Sequence, residues 1–162
     1  MRLAVVSDIH GNLPALEAVL ADVAASGADA TVNLGDIVSG PLWPAQTAER
    51  LMALALPTIR GNHERQLLTL PRERMGASDA FAEAALAPAQ RDWLAALPAT
   101  RVLSPEVFCC HGTPASDLAY FLETVTPEGW RGPAEPGLRA ATAAEAAERA
   151  GAVRHGLILC GH

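Results

Sequence analysis

Asp8 with His10, Asp36, Asn62 with His63, His111 and His162 are oxygen- and nitrogen-donor residues, and each group lies just past a short apolar run. Carboxylate, amide and imidazole donors suit divalent cations of intermediate softness. Asp-x-His offers one oxygen and one nitrogen two residues apart, which in an extended segment point to the same side. Asp36 follows Gly35, which permits close backbone approach, and its two oxygens can bridge two cations. In Arg60-Gly61-Asn62-His63-Glu64 an amide oxygen is an unusual ligand, and the carboxylate one residue on suits orientation of the imidazole. Each group alone has an ordinary reading: Asp8 and Asp36 as turn formers, Asn62 as a helix N-cap, His111 and His162 as structural histidines. Their shared position after predicted strands unites them, because strand ends are where an α/β fold gathers its chemistry.

The elements that must carry these residues are legible from periodicity. Arg2–Ser7 predicts a strand buried on both faces. Asn12 caps a helix running to Ser26 with Pro14 in its first turn and Gly27 as its stop. Residues 30–34 form a second strand, completing a right-handed βαβ unit. A helix over 45–55, a short strand over 58–60, and helices over 63–70, 79–86 and 89–97 follow, with a polar loop over 71–78. Thr100–Leu103 and Glu106–Cys110 predict a strand pair around Ser104-Pro105. Residues 126–137 are rich in Pro and Gly and predict an irregular surface loop crested by Trp130 and Arg131. A helix over 142–150, capped by Thr142 with Glu145 as capping-box partner, leads to a last strand over 156–160.

Composition narrows the function classes. A net charge of −6 and 12 scattered basic residues offer no basic field, which argues against long nucleic acid as a partner. Bound cations would still make the site locally positive. Cys109, Cys110 and Cys160 fall within predicted strands and read as buried reduced thiols. With no signal-like or membrane-spanning run, the expectation is a cytoplasmic location without a membrane partner.

In order, Asp-x-His, Gly-Asp, Gly-Asn-His-Glu, His-Gly and Gly-His resemble the signature of the calcineurin-like metallophosphoesterases. The opening Ser7-Asp8-Ile9-His10-Gly11-Asn12-Leu13 is similar to that family's small bacterial branch. The resemblance spans the chain and implies an α/β fold, a two-sheet β-sandwich flanked by helices, with a dinuclear site at one edge. It implies Asp8, His10 and Asp36 as ligands of a first metal, and bridging Asp36 with Asn62, His111 and His162 as ligands of a second. His63 would not ligate; it would assist catalysis, oriented by Glu64. The N/O donor set suits Mn²⁺, Fe, Zn²⁺ or Ni²⁺ without singling one out, and Mn²⁺ is the first expectation. Two such cations acidify a shared water, making hydroxide the nucleophile toward a small phosphate ester, nucleotides and dinucleoside polyphosphates included. Arg60 is a candidate for a second phosphate, or pairs with Glu64. Trp130 and Arg131 suit stacking on a base and gripping a polyphosphate, or pin the loop to the domain.

The family's closing motif is Gly-His-x-His, and this sequence ends at the first of those histidines. The resemblance therefore implies a domain, residues 1–162, that is truncated at its C-terminus. An exposed sheet edge is expected there, able to pair with a second copy, and this form is expected to be weakened or inactive. Two other readings remain. A protein serine/threonine phosphatase shares the run Arg60–Glu64, but Ile37-Val38-Ser39-Gly40-Pro41 lacks the arginine of that branch. A metal-poor scaffold that binds partner proteins fits the missing histidine but not the retained His63 and aspartates.

Overall fold

Two short apolar segments, Leu3–Val6 (β1) and Ala30–Asn33 (β2), pair in parallel register from Leu3 with Ala30 to Val6 with Asn33. Parallel strands need a long crossover, and helix α1 (Leu13–Ser26) supplies it. Its start is fixed by Asn12, whose side chain accepts the Ala15 N–H, and its end by Gly27 in the left-handed conformation. The structure, a computed structural model, describes residues 1–126 and 137–162. Trp130 and Arg131 lie outside the described residues.

Helix α2 (Pro44–Leu54) ends at left-handed Ala55, just before Pro57. The third strand expected over 58–60 contracts to one parallel bridge between Asn33 and Thr58. Ile59 N–H donates to the Asn33 carbonyl and Asn33 N–H to that of Pro57, and Arg60 N–H turns away to Pro98. Helices α3 (Asn62–Thr69), α4 (Ala77–Ala85) and α5 (Pro88–Ala96) follow, with a 3₁₀ turn at Arg72–Arg74. Helix α4 starts two residues earlier than expected, which puts Asp79 inside its first turn.

The second sheet is built on strand β3 (Thr100–Ser104) antiparallel to β4 (Val107–Cys110), with a register shift between Val102 and Ser104. An antiparallel hairpin of β5 (Glu123–Val125) and β6 (Leu138–Ala140) flanks the Pro/Gly-rich segment. Strands of three residues are too short for period-two alternation to register in a sequence, and neither is expected from it. Helix α6 (Ala143–Ala150) begins with the expected Thr142–Glu145 capping box, and β7 (Leu157–Leu159) adds to β4 in parallel.

Val32, Leu34 and Ile59 from the first sheet meet Val107 and Cys109 from the second, forming the sandwich interior. A larger cluster, including Leu16, Ile37, Val38, Leu51, Leu67 and Leu94, packs the helices against one another and against the loops after β1 and β2. The architecture is thus the expected two-sheet sandwich flanked by helices. The first strand differs from expectation, because β1 pairs only with β2 and leaves Val5 43% exposed. A continuous apolar run signals two-sided burial only when the strand is central, and β1 is at an edge. Among the described residues no helix is long and apolar enough to cross a membrane.

Leu94 is fully buried where α5 closes the helical cluster. Leu94→Ala should cost about 2–5 kcal/mol, seen as a lower urea midpoint at unchanged slope. A loss below about 1 kcal/mol would mean that α5 does not seal this core.

Candidate metal centre

The loops after β1, β2 and β4, the start of α3 and the residues after β7 converge at one edge of the sandwich. His10, Asp36 and His63 present donor atoms within 4.8 Å of one another, and so do Asp36, His111 and His162. Asp36 belongs to both groups, and it is only 2% exposed. Its Oδ2 lies 3.2 Å from His111 Nε2, and its Oδ1 accepts the His63 N–H at 3.0 Å. The carboxylate therefore sits at the N-terminus of α3, where unpaired amides favour negative charge.

Two rings are aimed by backbone carbonyls. His10 donates Nδ1–H to Ser39 O at 2.8 Å, and His111 donates Nδ1–H to Leu34 O at 2.8 Å. A carbonyl only accepts, so both rings turn Nε2 toward the centre, the usual way a metal-binding imidazole is oriented. His111 Nε2 also lies 3.1 Å from Asn62 Oδ1. Asn62 is thus the first residue of α3 and not its cap, a role that falls to Gly61. His162 Nε2 lies 3.2 Å from Leu118 O, its ring stacks on Tyr120, and its N–H donates to Asp8 Oδ2 at 3.2 Å. Asp8 Oδ1 is 3.9 Å from His10 Nε2, while Oδ2 accepts from Ser7 Oγ.

Asp8 and His10 do not lie in an extended segment as expected. Both have positive φ, 55° and 50°, as do Asp36 at 54° and His162 at 63°. Of the five non-glycine residues with positive φ among those described, four are candidate ligands; the other is Ala55 at the end of α2. Such strain persists only where surrounding contacts enforce it, and it gathers at functional sites. Gly61 shows the crowding: a Cβ there would run into the Asp36 carboxylate and lie 2.7 Å from Asp36 N.

Glu64, expected to orient His63, is placed differently. It is fully buried, and its two oxygens accept the N–H groups of Asp36 at 2.8 Å, Ile37 at 2.7 Å and Gly61 at 2.9 Å. The side chain points along the helix start into the loop after β2, away from the ring. Burial pushes the Glu64 carboxyl above its usual range, the Asp36 charge adds to this, and the three amide bonds oppose both. The partner of His63 is Asp79 on α4, whose Oδ1 lies 2.7 Å from His63 Nδ1. Asp79 was missed because it lies 16 residues downstream in a segment whose only sequence signal is an acidic first turn. Nor does Arg60 pair with Glu64, whose oxygens are taken by amides; it lines a cleft of about 320 Å³ beside His111, with Arg65, Thr113 and Asp117. Arg65 is forked onto Asp117 at 2.6 and 2.8 Å.

The donors fit a pair of divalent cations. They combine oxygen and nitrogen, share a central carboxylate, and have imidazoles already turned inward by carbonyls. Among the described residues neither donor group contains a cysteine; burial pushes the Cys110 thiol up to about 12, with Cys160 and Cys109 adding, and its Sγ contacts the Gly112 carbonyl. Burial opposes charge on Asp36, yet the hydrogen bond and charge of His111, helped by His63, hold its carboxyl below the ordinary range. Burial likewise opposes charge on His111, and Asp36 outweighs it and raises the imidazole.

An α/β sandwich with a nitrogen- and oxygen-lined centre at its strand ends defines a protein built to hold metal ions there. The chain belongs to the calcineurin-like phosphoesterase family, whose model matches residues 1–162. It is 46% identical over 72 residues to phosphodiesterase YfcE of Escherichia coli strain K12, covering 38% of this chain and 39% of that protein. It resembles the crystal structure of a metallophosphoesterase from Sphaerobacter thermophilus with a TM-score of 0.63 and 29% identity, over 76% of this chain and 52% of that one. It shares its fold with protein PH1004 of Pyrococcus horikoshii OT3, with a TM-score of 0.64 at 22% identity over 78% of this chain and 60% of that one. The chain thus spans less than two thirds of each of these relatives.

Two outcomes follow for the metal-free protein. Glu64→Gln presents an amide NH₂ to backbone N–H groups and should cost about 1–3 kcal/mol, read from urea unfolding; an unchanged midpoint would contradict the role given to Glu64. With His111 raised, its contribution is complete below its unfolded pKa of about 6.5 and disappears as pH rises through the folded value. Asp36, held low, contributes above about pH 3.9 and loses its share as pH falls through its depressed value. At pH 6–7, Mn²⁺ binding should then release protons, with the raised His111 imidazole contributing, measured by calorimetry in buffers of different ionisation enthalpy. Equal heats in all buffers would contradict it.

Proposed function

We propose that this chain carries the catalytic site of a two-metal hydrolase of small phosphate esters. The observation that carries this reading is Asp36, buried and common to two donor groups, one with His10 and the other with His111. Asp8, His10 and Asp36 would hold one ion, and Asp36, Asn62, His111 and His162 the second. The donor set suits Mn²⁺, Fe, Zn²⁺ or Ni²⁺ alike, and Mn²⁺ is taken as the first candidate. Paired ions supply an acidified water as nucleophile and a clamp for two phosphate oxygens.

The chain's own residues supply the remainder. His63 borders a cleft of about 420 Å³ lined by His10, Asn12, Ser39, Pro41, Leu42 and Ser78. The departing alcohol would sit there, and His63 would give a proton to its oxygen as the ester bond breaks. Arg60, on the opposite side beside His111, would hold a second anionic group, which favours diesters and nucleotide or dinucleoside polyphosphates over simple monoesters. A metabolite-sized substrate of this kind agrees with the acidic chain and with a cytoplasmic setting. The edge of β1 turned away from β2 is where a second copy would pair.

Bis-p-nitrophenyl phosphate is the direct test. Turnover should require Mn²⁺, and Asp36→Ala should abolish both turnover and ion binding; His63→Ala, with ion binding retained, should lower turnover of an alkyl phosphodiester, whose leaving oxygen needs a proton, by about 10²- to 10⁴-fold. Turnover that survives both substitutions, or that needs no metal, would refute the proposal.

A further inference from the structure

Asp79 is 3% exposed, yet it faces no arginine among the described residues. A buried carboxylate is costly unless hydrogen bonds compensate it, so its partners indicate its purpose. Oδ1 accepts from Ser39 Oγ at 2.6 Å and from His63 Nδ1 at 2.7 Å. An acidic residue in the first turn of α4 could serve only the helix terminus. Its short bonds instead go to two residues outside its own helix, one on the loop after Asp36 and one on α3. Ser39, itself 3% exposed, acts in two directions, because its carbonyl accepts Nδ1–H of His10 while its hydroxyl donates to Asp79. The His10 and His63 rings stand edge to face, 5.3 Å apart at 84°.

We propose that Ser39 and Asp79 form one positioning unit that aims both imidazoles on the His10 side of Asp36, His10 through the Ser39 carbonyl and His63 through the Asp79 carboxylate. The unit rests on the phosphoesterase reading for its purpose but not for its geometry. Asp79 holds a proton on His63 Nδ1, which turns Nε2 into the cleft where a leaving oxygen would lie; a second proton, on Nε2, is the one the cationic ring would give to that oxygen, leaving the neutral Nδ1–H form. Ser39 occupies a second lone pair of the same carboxylate oxygen and so restricts rotation of Asp79. Both residues are positioning residues, since neither reaches the reacting atoms. The unit explains why a buried acid is retained on α4, an element otherwise concerned with packing.

Two readouts test it. The first is the ¹⁵N spectrum of His63 in the metal-free protein at about pH 9, above the ordinary imidazole range. Wild type and Asp79→Asn, whose amide oxygen still accepts, should show the proton on Nδ1; Asp79→Ala should show a tautomer mixture, and Ser39→Ala a smaller shift the same way. The second compares Mn²⁺-dependent hydrolysis of a p-nitrophenyl ester with that of an alkyl ester, which needs protonation of its leaving oxygen. Asp79→Ala should lower kcat roughly 10- to 100-fold more on the alkyl ester than on the aryl ester, with KM nearly constant and with rescue by Asp79→Asn. An unchanged tautomer in Asp79→Ala overturns the proposal, as does equal loss on both esters. Should Asp79→Ala fail to fold, Ser39→Ala and Asp79→Asn carry both readouts. Wild type without metal-dependent turnover sinks the hydrolase reading alone, and the spectrum still decides the positioning unit.

Discussion

One carboxylate gathering three backbone amides fixes the rest of this site. Glu64 takes N–H groups from Asp36 and Ile37 on one loop and from Gly61 on another. Those loops carry the central carboxylate on one side and Asn62 and His63 on the other. Charge-assisted bonds are each worth about 1.5–3 kcal/mol, enough to hold two loops that otherwise touch through glycines. Without this clamp neither the Asp36 Oδ1 contact with the His63 amide nor the approach of Asn62 to His111 is enforced.

The clamp matters because the backbone it secures is strained. Asp8, His10, Asp36 and His162 all occupy the left-handed region, where a non-glycine residue is disfavoured by roughly 1–3 kcal/mol. The sandwich interior behind them, with Val32, Leu34, Ile59, Val107 and Cys109, supplies the packing that keeps the strand ends in register. Leu34 joins the two levels: its side chain is buried in that interior while its carbonyl aims His111. Burial, strain and ligand orientation are therefore parts of one arrangement, and Asp36 is its centre.

Much of this was legible in the sequence. Donors after apolar runs marked residues that the fold brings together around Asp36, because strand alternation and glycine punctuation are local signals. The capping residues Asn12 and Thr142 were readable for the same reason, since a cap is made within four residues. Glu64 was misassigned because adjacency suggested service to His63, whereas three residues into a helix the side chain reaches back to the preceding loop. Asp79 left no trace, because its partners arrive only when α4 packs against α3. Arg60 was readable as a lone cation but not as one wall of a cleft, which depends on the loop after β4 folding beside it.

The central claim is that Asp36 stands between two cation positions. Anomalous diffraction at the manganese edge, from crystals grown with Mn²⁺, addresses it directly. The account predicts two peaks flanking the Asp36 carboxylate, one toward His10 and Asp8 and the other toward Asn62, His111 and His162. A single peak away from Asp36, or no peak at millimolar Mn²⁺, would contradict it.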